Sequence, residues 1–215
     1  MVANAQTAGR GRRGHRWFSP PESGLYVSVV LTPIRAPDPR RATLLLTIAA
    51  GVAVAEAIDA VTGLTVRLKW PNDVLIDGRK VAGILAEAAT DRESIASVAL
   101  GYGVNVRAGA YPPDLSDRAT SIERELGRAV DRRDVLIETL TALGGRYDDL
   151  LAGRFDAILD AWRRLAPASQ GAAVRWNTPG GVVRGTTAGI DDRGALLVRV
   201  GDRIERIVGG EILWE

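Results

Sequence analysis

The chain has 215 residues, 46% of them hydrophobic, with a formal net charge of +2 and no cysteine. That composition excludes disulfides, thiol nucleophiles and cysteine-held metals, and the lone histidine, His15, excludes a histidine-rich metal site. Chemistry must therefore rest on Arg, Lys, Asp, Glu and backbone amides, and the near-neutral balance argues against a basic face spread along nucleic acid.

In chain order, Val2 to Ala5 reads as the end of a strand entering Gly9-Arg10-Gly11-Arg12-Arg13-Gly14-His15-Arg16-Trp17. That loop combines four arginines with three glycines and no acid. Its guanidinium forks suit carboxylate and phosphate, and its glycines let backbone approach a ligand. The loop alone leaves three readings level: a small-ligand phosphate site, a nucleic-acid patch and a plain surface loop. Charge repulsion and glycine entropy predict that Gly9 to Arg16 is mobile or irregular without an anion, with Trp17 as its hinge.

Leu25 to Leu31 is a predicted strand, Pro33 to Pro39 a loop, and about Arg40 to Val61 a helix with a wide apolar stripe ended by Gly63. No apolar run is read as a membrane span. Thr65 to Lys69 is a short strand running into Trp70-Pro71-Asn72-Asp73. Val74 to Ile76 and Lys80 to Ala88 flank Asp77-Gly78, a strong hairpin signal that sets Asp73 and Lys80 on neighbouring strands. Ala96 to Gly101 is a further strand and leads into Gly101 to Asn105. Ala108 to Asp117 is a loop. Thr120 or Ser121 caps a short helix, Asp131 caps a long one to about Leu151, and Phe155 to Leu165 is the last helix. From about Gln170, runs at Ala173–Trp176, Val182–Ile190, Ala195–Val200 and Arg203–Val208 alternate between turn residues, which predicts a small all-β module. Of the 28 basic residues, only Lys69 and Lys80 are lysines, and such placement fits positions that need a compact point charge.

The arginine loop with Gln6-Thr7-Ala8 before it, then Lys69-Trp70-Pro71-Asn72-Asp73, then Gly78-Arg79-Lys80-Val81-Ala82-Gly83-Ile84-Leu85-Ala86-Glu87, closely resembles the catalytic domain of biotin–protein ligases. The resemblance continues through Gly101 to Asn105, Gly189 to Val198 and Gly209 to Ile212. It implies an α/β (α+β) fold, with a mixed sheet flanked by helices in a class II synthetase-like catalytic domain, residues 1–168. An SH3-like barrel over 169–215 follows. It implies ATP-dependent conversion of biotin to biotinyl-5′-adenylate and transfer to a lysine of a biotin carboxyl carrier protein domain, with Mg²⁺. The sequence itself, with no secretory signal pattern and no helix-turn-helix read in it, is taken as cytoplasmic with no DNA or membrane partner. A homodimer is left open.

The residue roles follow from the same resemblance. Lys80, Arg12 and Arg10 match the charges on the reacting carboxylate and phosphate. Gln6, Gly9, Trp17 and Gly83 join them around biotin. Lys69, Asn72, Asp73 and Asn105 join Arg12, Trp17 and Lys80 around ATP, and Asp73 is the candidate Mg²⁺ side. Three departures stand out. A Ser/Thr-rich segment that precedes the loop in the family is missing before residue 1, which suggests an N-terminally truncated chain. His15 replaces a common arginine, and Tyr102 makes a glycine turn bulky. The alternatives are an inactive truncated homologue or biotin-binding fragment, a nucleic-acid-binding loop, and a lipoate-type ligase.

Overall fold

The computed structural model describes residues 1–91, 94–109 and 111–215. In chain order the first sheet contains β1 (Val2–Ala3), β2 (Gly24–Leu31), β3 (Arg67–Lys69), β4 (Asp73–Ile76), β5 (Arg79–Asp91) and β6 (Ser94–Asn105). Helix α1 (Pro39–Thr62) lies between β2 and β3. Helices α2 (Ile122–Leu126), α3 (Arg132–Leu151) and α4 (Phe155–Leu165) follow β6. Strands β7 (Gln170–Thr178), β8 (Gly181–Ile190), β9 (Leu196–Val200), β10 (Arg203–Ile207) and β11 (Leu213–Trp214) make the second sheet. The orders are β1-β2-β6-β5-β4-β3 and β10-β9-β8-β7-β11. Every ladder between these strands is antiparallel, and among the described residues the one parallel element is a bridge between Lys80 and Ala119.

Helix α1 starts where Asp38 accepts the Arg41 backbone N–H at 2.9 Å and Pro39 supplies a helical φ without needing a partner. It stops at Gly63, whose φ of 72° is the left-handed conformation that glycine adopts freely. Between those points Ala42, Ala49, Ala50, Ala53, Ala55 and Ala57 are buried together with Leu45, Leu46, Ile48, Val52, Val54 and Ile58. Burial on so many sides explains the wide stripe, since the helix packs between the first sheet and α3 and α4. By length and composition α1 could cross a membrane, which corrects the reading that no run is long enough. Most of its apolar window is instead buried inside the protein.

The Asp77-Gly78 hairpin forms as read, with φ of 48° and 73° at the two turn residues. The strand read from Ala96 runs the full length of β6, so the glycines at 101 and 103 are inside a strand rather than at a turn after it. Tyr102 is accordingly no obstacle. It points to the core face, 4% exposed, and its hydroxyl pairs with Thr139 Oγ1 at 3.0 Å. Ser121 takes the N-cap position of α2 but makes no capping bond through its hydroxyl. Asp131 does cap α3, accepting from Arg133 N at 2.8 Å. Ala110, within the loop read over 108–117, lies outside the described residues. Strand β11 has no counterpart in the sequence reading.

The second sheet docks through its β8–β9 turn. Trp70 Nε1 donates to Gly194 O at 2.9 Å and Arg41 Nε to Asp192 O at 2.9 Å. One continuous hydrophobic core, running from Leu25 to Ile212, joins the two sheets and the helices.

Candidate active site

Alternation along the strands divides the first sheet into two unlike faces. Val74, Ile76, Ala82, Ile84, Val98, Leu100, Tyr102 and Val104 face α1 and are buried. On the opposite face Gly83 pairs across to Gly103, and Leu85 to Gly101. These glycines leave a bare shelf, on which the Trp17 indole rests. A Cβ built on Gly103 would lie 2.4 Å from Trp17 Nε1, and one on Gly83 would lie 3.1 Å from Trp17 Cζ3.

A β-bulge brings Lys80 to this face. Asp73 pairs with Gly83 and Val74 with Ala82, but Leu75 pairs with Lys80, so Val81 is the extra residue. Directly paired residues share a face. Lys80 and Gly83, three apart and on opposite faces in a regular strand, therefore share one. Lys80 Nζ lies 2.5 Å from Asp73 Oδ1 and 5.3 Å from the centroid of the Trp17 ring. The Lys80 backbone is gripped from both sides, with its N–H on Arg118 O at 2.8 Å and its carbonyl accepting from Thr120 N at 2.9 Å.

A cleft of about 1000 Å³ opens over the shelf. Gln6, Arg10, Arg12, Trp17, Lys69, Asn72, Asp73, Lys80, Gly83 and Asn105 all line it. Gly9 does not. It is buried, its carbonyl accepts Trp17 N–H at 2.9 Å, and a Cβ there would meet Trp17 O at 2.5 Å and Ser19 Oγ at 2.7 Å. Its part is to close the loop. The loop, read as mobile or irregular in the free protein, does carry irregular backbone, with Arg13 at a φ of 55°, and hydrogen bonds draw it into a turn: Gly11 N donates to His15 O at 2.7 Å and His15 N to Arg12 O at 3.1 Å, with Arg10 bridging Arg16. These backbone hydrogen bonds close the segment in spite of its like charges.

Arg12 is half-buried, with Nη1 3.5 Å from Asn72 Oδ1; burial lowers its pKa and Asp73 opposes that shift. Arg10 lies at the rim, its Nη2 2.8 Å from Glu87 Oε2 with both side chains largely exposed. Lys69 stands 5.8 Å from the Trp214 ring centroid; burial lowers its pKa, Asp73 and Glu211 oppose the shift, and Lys80 adds to it. Asn72 is chiefly a fastener, its Nδ2 donating to Ile84 O at 2.8 Å. Asn105 likewise holds the 111–120 turn, donating to Thr120 O at 3.0 Å, where Tyr111 OH also donates at 2.8 Å.

Asp73 is thus ringed by Lys80, Lys69 and Arg12. No group of three Asp, Glu, His or Cys able to hold a metal occurs among the described residues. Mg²⁺ is usually held by one or two carboxylates together with substrate phosphates and waters rather than by a cage of protein ligands, so a carboxylate such as Asp73 beside a bound phosphate chain is compatible with the metal role read for it. The cationic surroundings do fit a polyanionic ligand. Trp17 Nε1 and Trp214 Nε1, both buried on residues lining the cleft, have no hydrogen-bond partner among the described residues.

Several cleft residues escaped the sequence reading. Gly103 was legible in principle, because Gly101-x-Gly103 in a strand places two glycines on one face. Tyr111, Arg118 and Trp214 carried no local signal. Trp214 and Glu211 reach the cleft from the second sheet and the segment before β11.

Comparison with known proteins places this architecture. A profile of the Biotin/lipoate A/B protein ligase family matches residues 1–105, and one of the Biotin protein ligase C terminal domain matches residues 171–213. The fold and cleft are thus those of the biotin/lipoate ligase class. The biotin--[acetyl-CoA-carboxylase] ligase of Paracoccus denitrificans is 35% identical over 205 residues, covering 93% of this chain and 83% of that protein. The bifunctional ligase/repressor BirA of Bacillus spizizenii is 36% identical over 214 residues, covering 99% of this chain and 65% of its own length. The biotin protein ligase from Aquifex aeolicus, solved in complex with biotin and ATP, superposes with a TM-score of 0.85 at 30% identity, covering 100% of this chain and 87% of that one. The chain belongs to the biotin protein ligase family.

Proposed function

We propose that the chain activates biotin with ATP and transfers it to a lysine of a biotin carboxyl carrier protein. In the first step a biotin carboxylate oxygen bonds to the α-phosphorus of ATP, the bond to the bridging oxygen breaks, and pyrophosphate leaves. In the second the carrier lysine's amine attacks the mixed-anhydride carbonyl, the amine loses a proton, and AMP departs.

The observation that carries this reading is the cationic group of Lys80, Lys69 and Arg12 gathered around Asp73 beside a glycine shelf. Bringing a carboxylate onto a phosphate is opposed by like charge. Fixed cations in a partly dry site offset that repulsion without reorganising during the reaction. Lys80 is the central cation, because the bulge and Asp73 hold its amine over the shelf. Arg12 is the second, and Arg10 acts from the rim. Lys69 and Arg12 serve the phosphate side, with Asn72 and Asn105 setting the walls. Gln6, Trp17 and Gly83 form the biotin side. Mg²⁺, when bound with ATP, neutralises phosphate charge. The reading divides the chain into a catalytic domain over 1–168 and a smaller C-terminal domain over 169–215, acting in the cytoplasm.

Incubating the purified chain with biotin and ATP, then adding a carrier domain, tests this reading. Biotinyl-adenylate and a carrier heavier by one biotin, seen by mass spectrometry, with lipoate giving neither, are the expected results. Absence of adenylate from the folded protein refutes the assignment.

A further inference from the structure

Ser19 sits outside every motif discussed above, yet it is 5% exposed and polar. Its Oγ has two acceptors within reach, Gln6 Oε1 at 2.7 Å and Trp17 O at 3.1 Å, and its single proton goes to the nearer, Gln6 Oε1. The backbone ties the same residues together, with Gln6 N on Ser19 O at 3.1 Å and Trp17 N on Gly9 O at 2.9 Å. A Cβ on Gly9 would come within 3.0 Å of Gln6 Oε1 and 2.7 Å of Ser19 Oγ. Only glycine leaves room for this contact.

We infer that Ser19 is a positioning residue for ligand recognition, fixing the polarity of the Gln6 amide so that its NH₂ is the group offered to the cleft. An amide has one accepting and one donating end, and rotation by half a turn about its last bond exchanges them. With Oε1 taken by the Ser19 hydroxyl, the acceptor end is used inside the protein. Gln6 Nε2 has no protein partner among the described residues, and Gln6 lines the cleft. The group it recognises is therefore an acceptor, such as the carbonyl oxygen of a cyclic urea. Loss of the hydroxyl frees the amide to turn and present its oxygen, which repels that acceptor. This inference rests on biotin being the ligand.

The test is calorimetric biotin binding together with steady-state kinetics on wild type, Ser19→Ala, Gln6→Ala, Gln6→Glu and the Ser19→Ala/Gln6→Ala pair. Ser19→Ala is expected to weaken biotin binding about tenfold and raise the biotin KM, with the ATP KM and melting temperature little changed. Gln6→Glu keeps an acceptor for Ser19 but loses the NH₂, so it should match Gln6→Ala in its loss. The double variant should bind no worse than Gln6→Ala alone, because residues acting through one contact are not additive. Additive losses, or a rise in both KM values, place the effect of Ser19 on the loop carbonyl of Trp17 and overturn the inference. Wild-type binding with unchanged Ser19→Ala binding also overturns it. A wild type that takes up no biotin overturns the ligand reading and the inference together.

Discussion

Two glycines on one strand, two residues apart and on one face, are expected to respond oppositely to alanine. At Gly103 an added Cβ would stand 2.4, 2.6 and 2.9 Å from Trp17 Nε1, Cε2 and Cζ2. Ordinary contact begins near about 3.4 Å, so the indole must retreat by about 1 Å. The ring is rigid and its backbone is tied to Gly9 O at 2.9 Å, which leaves no small adjustment that relieves the clash. Overpacking typically destabilises by about 1–3 kcal/mol. Trp17 is on a loop and partly exposed, so the lower end applies. Removing a glycine also lowers the entropy of the unfolded chain, offsetting about 0.4–1 kcal/mol. The net expectation is a loss of up to about 0.6 kcal/mol, or a fall of up to about 2 °C in melting temperature. Biotin affinity should fall at least about tenfold, since 1.4 kcal/mol of lost contact is that factor. At Gly101 the nearest atom to an added Cβ is Leu85 O at 3.7 Å, so Gly101→Ala should melt at or above the wild-type temperature and bind biotin normally. Thermal melting and titration calorimetry on the two variants decide the matter. Equal behaviour of the pair would refute the shelf.

Lys80→Ala should leave the fold nearly intact, because a pair whose side chains are 32% and 26% exposed contributes about 0–1 kcal/mol. Pyrophosphate exchange should fall about 10²–10³-fold, the loss seen on removing one preorganised charge donor; normal exchange would discount its role. Lys69 has a folded pKa held below its ordinary value by burial, so its charged form is disfavoured in the native state. Stability attributable to Lys69 should therefore rise with pH between that lowered value and about 10.5, where the unfolded chain binds more protons. Lys69→Met should be the more stable protein at neutral pH, with the advantage shrinking across that window in urea melts; a constant difference would contradict the burial argument. Gly78 has a φ of 73° and no atom within 4 Å of an added Cβ, so Gly78→Ala imposes backbone strain alone and should lower stability by about 1–2 kcal/mol in the same assay.

Local chemistry made much of this chain legible before folding. Gly63 stops α1 and Asp131 starts α3 because each satisfies its own helix end. Asp77-Gly78 makes its turn because only a few residues tolerate left-handed backbone. The charged residues of the cleft were visible too, since Lys69, Asp73, Lys80 and the arginine loop lie within recognisable short motifs. Three-dimensional packing decided what those residues face. One extra residue, Val81, turns Lys80 onto the shelf side, and a bulge is a property of paired strands that one strand's alternation does not carry. The same pairing sets Gly83 against Gly103 and leaves a space the width of an indole. Trp214 meets Lys69 across 145 positions of sequence, and Ser19 meets the Gln6 side chain because the loop between them folds back on Gly9. Such contacts depend on loop closure and sheet register, which are collective outcomes of burying the core around α1, so no short stretch of the sequence encodes them alone.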